Sequence, residues 1–430
     1  MNHQAMNYKS LMREQLPVYV YQLLEAIGES ADEMGYPVFV VGGLVRDLLI
    51  GRPNLDVDIV VEGDGIDFAC TFADAREGEV KRHKRFGTAV VALPDGFKID
   101  VATARTEIYD QPGALPSVSF SSIRDDLRRR DFTINAMALE LNEDRFGELV
   151  DFFGGRSDLQ SGTVRILHDL SFEDDPTRIF RAVRFEQRHG FSIEPHTKKL
   201  LEKAIAEGFL KRITGQRLRN EILLILKEDD PVPVVQRMAH LDLTGYIHFR
   251  ICMSDELLAL FGEIKEILAW WDSISSSVRK KVEPVLLNLL ALVDQLDASE
   301  VEDVSERLVL RKKYTDALRI SKTHLSDILS CLCKTKNSPS RVYGMLNDLP
   351  LEILLFAMAK NDGARDDVAS YLTQLRNVKP LVNGNDLRRL GYPEGPLYTQ
   401  ILGKTFAAQL DGIVADKDQA IQLIESRFPL

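Results

Sequence analysis

The sequence predicts an α+β head followed by a long, almost wholly helical remainder, and three observations carry that reading. Between residues 38 and 103, short apolar runs alternate with helical stretches and hairpin-like turns. From about 158 onward, apolar positions recur almost only at helical spacing. At 430 residues the chain exceeds one ordinary core, so more than one packed unit is expected.

The elements follow in order. Apolar residues at helical spacing fill 16–34 and stop at Gly35-Tyr36-Pro37. "VFVVGG" reads as a strand breaking at glycine, "LVRDLLIG" as a short helix closed by Gly51, and "LDVDIVVEG" as the next strand. A helix is expected over 65–75, then strands "FGTAVVAL" and "FKIDVAT" joined by the turn "PDG". The sheet domain extends to about residue 145. Further on, Thr214 is positioned to cap the helix "GQRLRNEILLILK", in which Arg217 and Glu221 stand at i,i+4 and can pair. "NGNDLRRLGYPEGP" at 383–396 reads as a turn-rich break before a final helix pair.

Composition excludes several classes. The chain is 45% hydrophobic and 28% charged, and no run approaches the roughly 20 apolar residues of a membrane span. The first residues lack the basic-then-apolar pattern of a signal peptide. Four cysteines, with only Cys331 and Cys333 close together, make neither a disulfide framework nor a zinc-ligand pattern, and point to a cytoplasmic location. A net charge of −11 argues against a general nucleic-acid coat but leaves room for RNA binding through local basic strips. Such strips occur at "KRHKR" (81–85), at "RRR" (128–130), at Arg178, Arg181, Arg184 and Arg188, and at Lys211-Arg212.

Candidate chemistry begins with two aspartates in an apolar strand. Side chains two apart on a strand share a face, so Asp56 and Asp58 are expected side by side, roughly 6–7 Å apart. Like charges so placed repel, and a divalent cation removes the penalty. Mg²⁺ takes oxygen ligands and is commonly held by one or two carboxylates plus substrate phosphates. Asp100, on a neighbouring strand, is a third candidate carboxylate. Upstream, Gly42-Gly43 opens a helix whose free N–H groups suit an anion, and Arg46 adds a cation one turn on. No GxxxxGK[ST] occurs, which disfavours a P-loop nucleotide site.

With those residues in place, the chain resembles a known family. "GGLVRDLLIGRPNLDVDIVV", "DDLRRRDFTINAMAL", "DFFGGRSDLQSGTVRIL", "DDPTRIFRAVRF" and "ITGQRLRNEILLIL" resemble the five ordered motifs of class II tRNA nucleotidyltransferases and bacterial poly(A) polymerases. The resemblance covers about 38–227 and implies a polymerase-β-like nucleotidyltransferase head followed by an all-helical neck, body and tail. Residues 1–150 would form the head, 151–230 the neck, 231–335 the body and 336–430 the tail. It implies that Asp56 and Asp58 bind metal, Mg²⁺, with Asp100 as a supporting catalytic carboxylate. Gly42, Gly43, Arg46, Arg129, Arg130, Asp131 and Asn135 would bind the nucleotide, Asp131 accepting from the ribose 2′-hydroxyl.

Asp175 and Arg178 match the family's nucleobase-reading motif and, at i,i+3, are expected to share one helical face, with Arg181 and Arg184 one and two turns on. Cytosine and adenine each pair an exocyclic amine with an unprotonated ring nitrogen, which a carboxylate and a guanidinium can read together. Guanine and uracil present the reverse order. Asp174 stands where the family commonly has Glu, and Gln216 where Glu often precedes Arg. His168-Asp169 lacks the distant partners of an HD hydrolase.

The wording "DDPTRIFRAVRFEQRHGF" is similar to the A-adding branch, whose members often carry extra N-terminal domains; "MNHQA" before a second Met is consistent with a start inside a longer parent or with a cloning remnant, and the sequence does not choose between them. The implied partners are tRNA and ATP, with CTP as the alternative nucleotide and no membrane; the sequence does not specify an oligomeric state. CCA-adding, CC-adding and poly(A)-adding enzymes share these motifs, and a catalytically silent RNA-binding protein is the rival of another class. The segment 107–122 falls where the family has a mobile loop, for which Pro112, Gly113 and Pro116 are suited.

Overall fold

Runs of Val, Ile and Ala assemble the first part of the chain around one mixed sheet. The computed structural model describes residues 6–108, 117–274, 280–334 and 337–429. It divides into two units, Met1–Glu221 and Ile222–Leu430.

The first unit opens with α1 (Lys9–Gln15) and α2 (Val18–Met34), the latter stopped by Gly35 in the left-handed region. Then come β1 (Val38–Val41), α3 (Gly43–Leu49), β2 (Val57–Val61), α4 (Gly65–Asp74), β3 (Glu79–His83), β4 (Thr88–Ala92) and β5 (Lys98–Thr103). A separate hairpin, β6 (Arg105–Ile108) with β7 (Ser117–Phe120), leads to α5 (Ile123–Arg128). β8 (Ala138–Glu140) and β9 (Leu149–Val150) complete a seven-stranded sheet of order β3-β4-β5-β2-β1-β8-β9. Segment 109–116, with Pro112, Gly113 and Pro116, lies outside the described residues.

Strand alternation divides the sheet into two faces. Val57, Ile59, Ile99, Val101, Ala89 and Val91 are buried, and α4 packs on β2 to β5. On the opposite face, Val60 and Val41 join Phe39, Ile123 and Leu127 in a core beneath α5. Asp58 belongs to that second face but stands beyond the cover, so the face changes from core to cleft along one strand. Asp56 departs from expectation: it precedes β2, in a turn where Asn54 Oδ1 accepts from its backbone N–H.

The helical part begins with α6 (Gly155–Gln160), and one short parallel pair interrupts it, β10 (Thr163–Val164) with β11 (Ser192–Ile193). Between the two strands lie α7 (Ser171–Asp174) and α8 (Arg178–His189); α9 (Pro195–Ala206) and α10 (Gly215–Leu226) follow. Thr214 caps α10 through the Arg217 N–H, as its spacing predicts. Asp175 and Arg178 do not share one helix. Asp175 ends α7, Pro176-Thr177 turns the chain, and Arg178 begins α8.

In the second unit, helices Pro284–Leu292 and Leu351–Lys360 are buried almost all round, as central helices must be, and Asp255–Ser273 packs on both. A smaller cluster at the C-terminal end gathers Val382, Leu387, Tyr392, Ile401 and Ile424. Part of the break read at 383–396 is helical, Gly384–Arg389, because Asn383 and Asp386 form a reciprocal capping box. No single described helix is long and apolar enough to cross a membrane.

Phe72, 1% exposed and stacked on Phe68 at 5.9 Å, anchors α4 beneath the sheet. Phe72→Ala should cost about 3–5 kcal/mol, read as a lower urea midpoint for the first unit; a loss below about 1 kcal/mol would show that α4 does not hold the sheet.

Candidate nucleotidyl-transfer site

The first unit contains a cleft of about 1020 Å³. Asp56, Asp58, Asp100, Gly42, Gly43, Arg46, Arg129, Arg130, Asp131, Asn135, Asp175, Arg178, Arg181 and Arg184 all line it, so the structure brings together the candidate catalytic and nucleotide-binding residues named from the sequence. Seven arginines reach the cleft, counting Arg188, in a chain whose net charge is −11. That local excess suits a polyanion.

The carboxylates sit on one side. β2 and β5 run parallel with Asp58 in register with Asp100, which puts the two carboxylates on the same face of adjacent strands. Among the described residues, no hydrogen bond or ion pair engages the carboxylates of Asp56, Asp58 or Asp100. Desolvation, assisted by Asp100 and Asp56 and opposed by Arg130, pushes the Asp58 carboxyl up to about 6. A divalent cation is the counter-charge this arrangement lacks. No group of three or more His, Cys, Asp or Glu forms a ready cage among the described residues. The fit is therefore to a hard ion held by two carboxylates and completed by substrate oxygens.

The glycines sit beside it. Gly42 has φ 72°, which L side chains rarely adopt, and a Cβ there would lie 2.9 Å from Arg130 Nη1 and 3.8 Å from Asp58 Oδ2. The chain thus passes close to both the carboxylate and the guanidinium before turning into α3.

Arg46 lines the cleft with its guanidinium already engaged by neighbouring side chains. Its Nε and Nη2 donate to Asp47 and its Nη1 donates to Asn135 Oδ1 at 2.7 Å, while the guanidinium lies 5.0 Å from the Phe185 ring centre. Burial works against its charge and Asp47 opposes that effect. Asn54 completes the shell by donating to Asp47. Arg46 is therefore a strut, with three donor atoms committed to the protein.

Asp131 is equally committed. Its Oδ1 accepts from Phe132 N and Asn135 Nδ2, and its Oδ2 accepts from Arg181 Nε at 2.7 Å and pairs with Nη2 at 2.5 Å. Burial raises its pKa, but Arg181, Asn135 and Arg178 outweigh that and hold it at about 2. With its lone pairs spent, Asp131 orients Arg181 and Asn135, and a ribose hydroxyl would have to displace one of these donors. Arg181 also approaches Glu221 at 3.9 Å.

Arg129 and Arg130 converge on Asp126, which is fully buried and kept ionised by both despite its burial. Sequence reasoning passed over Asp126, although it stands in the same quoted motif at i,i+3 and i,i+4 from the two arginines. It also passed over Ser171 and the role of Arg217. Arg178 Nη1 donates to Ser171 Oγ at 2.6 Å and Nη2 donates to the Arg129 carbonyl at 2.7 Å. Asp175 Oδ1 accepts from the Thr177 backbone and hydroxyl and from Arg217 at 2.6 Å. Asp175 and Arg178 both line the cleft. Arg184 is buried beside the Phe185 ring, and Asp174 lies 3.9 Å from His168.

A mixed sheet with paired aspartates beside a Gly-Gly helix start defines a nucleotidyltransferase-type head. Residues 38–165 match the family described as "Poly A polymerase head domain", and 190–248 match "Probable RNA and SrmB- binding site of polymerase A". The A-adding tRNA nucleotidyltransferase of Geobacter sulfurreducens is 42% identical over 96% of this chain, which spans about half (48%) of that relative's length. The A-adding tRNA nucleotidyltransferase of Halalkalibacterium halodurans is 34% identical over 98% of the chain and 96% of its own. The solved Thermotoga maritima CCA-adding enzyme, complexed with tRNA, aligns at TM-score 0.73 and 34% identity, covering 98% of this chain and 99% of that one. The chain belongs to the class II tRNA nucleotidyltransferase and poly(A) polymerase family.

Asp58 allows a test that needs no substrate. Its folded value, about 6, exceeds the ordinary 3.8, so its charge opposes folding above pH 6 and ceases to do so below 3.8. Asp58→Asn should therefore raise the melting temperature of the metal-free chain near pH 8. That gain should shrink as pH falls through 6 and approach zero near 4. Thermal scans in chelator across this range check it, and a gain that does not change with pH would overturn the assignment.

Proposed function

We propose that the chain transfers AMP from ATP to the 3′ end of tRNA, completing the CCA terminus. One observation carries this reading: a single cleft is lined both by the carboxylate row of Asp56, Asp58 and Asp100 and by the amine- and ring-nitrogen-reading pair Asp175 and Arg178. The adenosine choice is supported by the A-adding name borne by two relatives that match 96% and 98% of this chain.

The tRNA 3′-oxygen attacks the α-phosphorus of ATP. A new P–O bond forms, the bond to the β-phosphate oxygen breaks, pyrophosphate leaves with the bonding pair, and the hydroxyl proton passes to solvent. A divalent cation, proposed to be Mg²⁺ and held by Asp56 and Asp58, supplies Lewis-acid charge neutralisation when bound. Arg129 and Arg130, aimed by Asp126, face the triphosphate beside the backbone of Gly42 and Gly43. Asp175 Oδ2 accepts from the adenine amine while Arg178 donates to the adjacent ring nitrogen. Guanine and uracil invert that order and leave both groups mispaired, which a buried site penalises.

The division into head (1–150), neck (151–230), body (231–335) and tail (336–430) belongs to this reading. Body and tail would grip the tRNA by shape and phosphate contacts, since duplex RNA offers little readable sequence. A cytoplasmic location accompanies tRNA as substrate. CCA addition is the second reading, favoured by the name of the solved Thermotoga structure.

The test offers tRNA ending at the discriminator base, at C and at CC, with each nucleoside triphosphate separately. A single AMP added only to the CC-ended substrate is the expected result; CTP incorporation would overturn it in favour of CCA or CC addition, and long A tracts on unrelated RNA would point to a poly(A) polymerase. Asp56→Ala should abolish transfer while tRNA binding survives. Ser171→Ala, which removes one of the two hydrogen-bond anchors of Arg178, should lower the ATP-over-GTP preference by about tenfold; unchanged selectivity would show that Ser171 does not set the reading edge.

A further inference from the structure

The basic strip 81–85 has no part in the chemistry so far, yet the register of the sheet relates it directly to the carboxylates. Asp58 on β2 pairs with Asp100 on β5, Asp100 with Val90 on β4, and Val90 with Lys81 on β3. Cross-strand partners share a face, so Lys81, Val90, Asp100 and Asp58 form one row across four strands. The neighbouring row runs His83, Thr88, Ala102. His83, Thr88 and Val90 line the cleft, whereas Lys81 stands two residues farther along the same face of the exposed edge strand. Among the described residues, no ion pair engages Lys81, Arg82, His83 or Lys84.

The cleft is therefore asymmetric about its carboxylates. Gly42 and Gly43 follow β1, Arg130 lies beside Gly42, and the Arg129 carbonyl, just past α5, accepts from Arg178 of α8, while on the other side of Asp58 the sheet continues through β5 to β4 and β3. In-line displacement requires the attacking oxygen to arrive opposite the departing group. A triphosphate held by the glycines and arginines leaves only the β5-β4-β3 side for the acceptor.

We propose that Lys81 and His83 form the track for the acceptor strand, contacting the phosphodiester groups of the single-stranded RNA 3′ end as it crosses β3 and β4 toward Asp100. β3 lies two strand spacings, about 10 Å, from β5. The long Lys81 stem can therefore reach back to a phosphate upstream of the attacking hydroxyl. This inference rests on the nucleotidyl-transfer reading above.

Edge strands also carry lysine to discourage strand pairing, and that role alone predicts no effect on RNA. The experiment uses the full chain, CC-ended tRNA and ATP, after wild-type AMP incorporation has been established; wild-type inactivity would refute the parent reading rather than this one. Lys81→Glu should raise KM for tRNA about tenfold, the effect of one lost charge-assisted contact, and leave KM for ATP unchanged. Lys81→Ala should reduce the slope of log affinity against log salt by about 0.7, as expected for one single-strand phosphate contact. Lys81→Arg should restore both. An unchanged tRNA KM and salt slope in Lys81→Glu, or an equal change in the ATP KM, overturns the proposal.

Discussion

Asp58 and Asp100 stand in register on adjacent parallel strands, two carboxylates with no protein counter-charge bonded to either. Desolvation of Asp58, with Asp100 and Asp56 adding to it and Arg130 only partly opposing it, raises the Asp58 carboxyl and makes its charge unfavourable in the unliganded fold. The surrounding architecture tolerates it because the buried Val and Ile of the same strands hold the register from the other face of the sheet. A slip of one residue would bury both charges under α4. Hydrophobic alternation thus enforces an electrostatic arrangement that charge alone would reject.

Around this uncompensated centre, nearly every other charged group is over-determined. Arg46 is tied to Asp47 and Asn135, Asn135 to Asp131, and Asp131 to Arg181. Buried pairs like these add little net stability, since the cost of desolvation offsets their attraction. What they provide is fixed orientation. The contrast separates the groups that face a ligand from those that hold the frame, and it moves Arg46 and Asp131 from the first class to the second.

The fold was legible because its signals are local. Strand alternation located β1, β2, β4 and β5, and Gly35 closed α2 where expected, whereas β3, rich in charge, is legible only as a basic strip. Cleft residues were legible where side-chain type and motif order coincide, as at Asp58, Asp175 and Arg178. Less legible were partnerships between distant segments. Nothing near Arg178 in sequence points to the carbonyl of Arg129, 49 residues away, and nothing near Asp175 points to Arg217. The one-helix reading of Asp175 and Arg178 failed because Pro176 and the Asp175–Thr177 bonds turn the chain between them. Asp56 similarly falls ahead of its strand, held by a local Asn54 turn that the alternating pattern conceals.

The bond from Arg178 to the carbonyl of residue 129 links two tasks mechanically. On the proposed reading, the guanidinium assigned to the base is braced against the backbone carbonyl of Arg129, beside the arginines assigned to the phosphates. On that reading, a base that fitted poorly and pushed Arg178 aside would strain or release that brace, and the side chains assigned to the phosphates would lose part of their footing. Selectivity in such a site extends past the hydrogen bonds at the base edge. It reaches the reacting phosphorus through one shared strut, so that a mismatch is felt as misalignment.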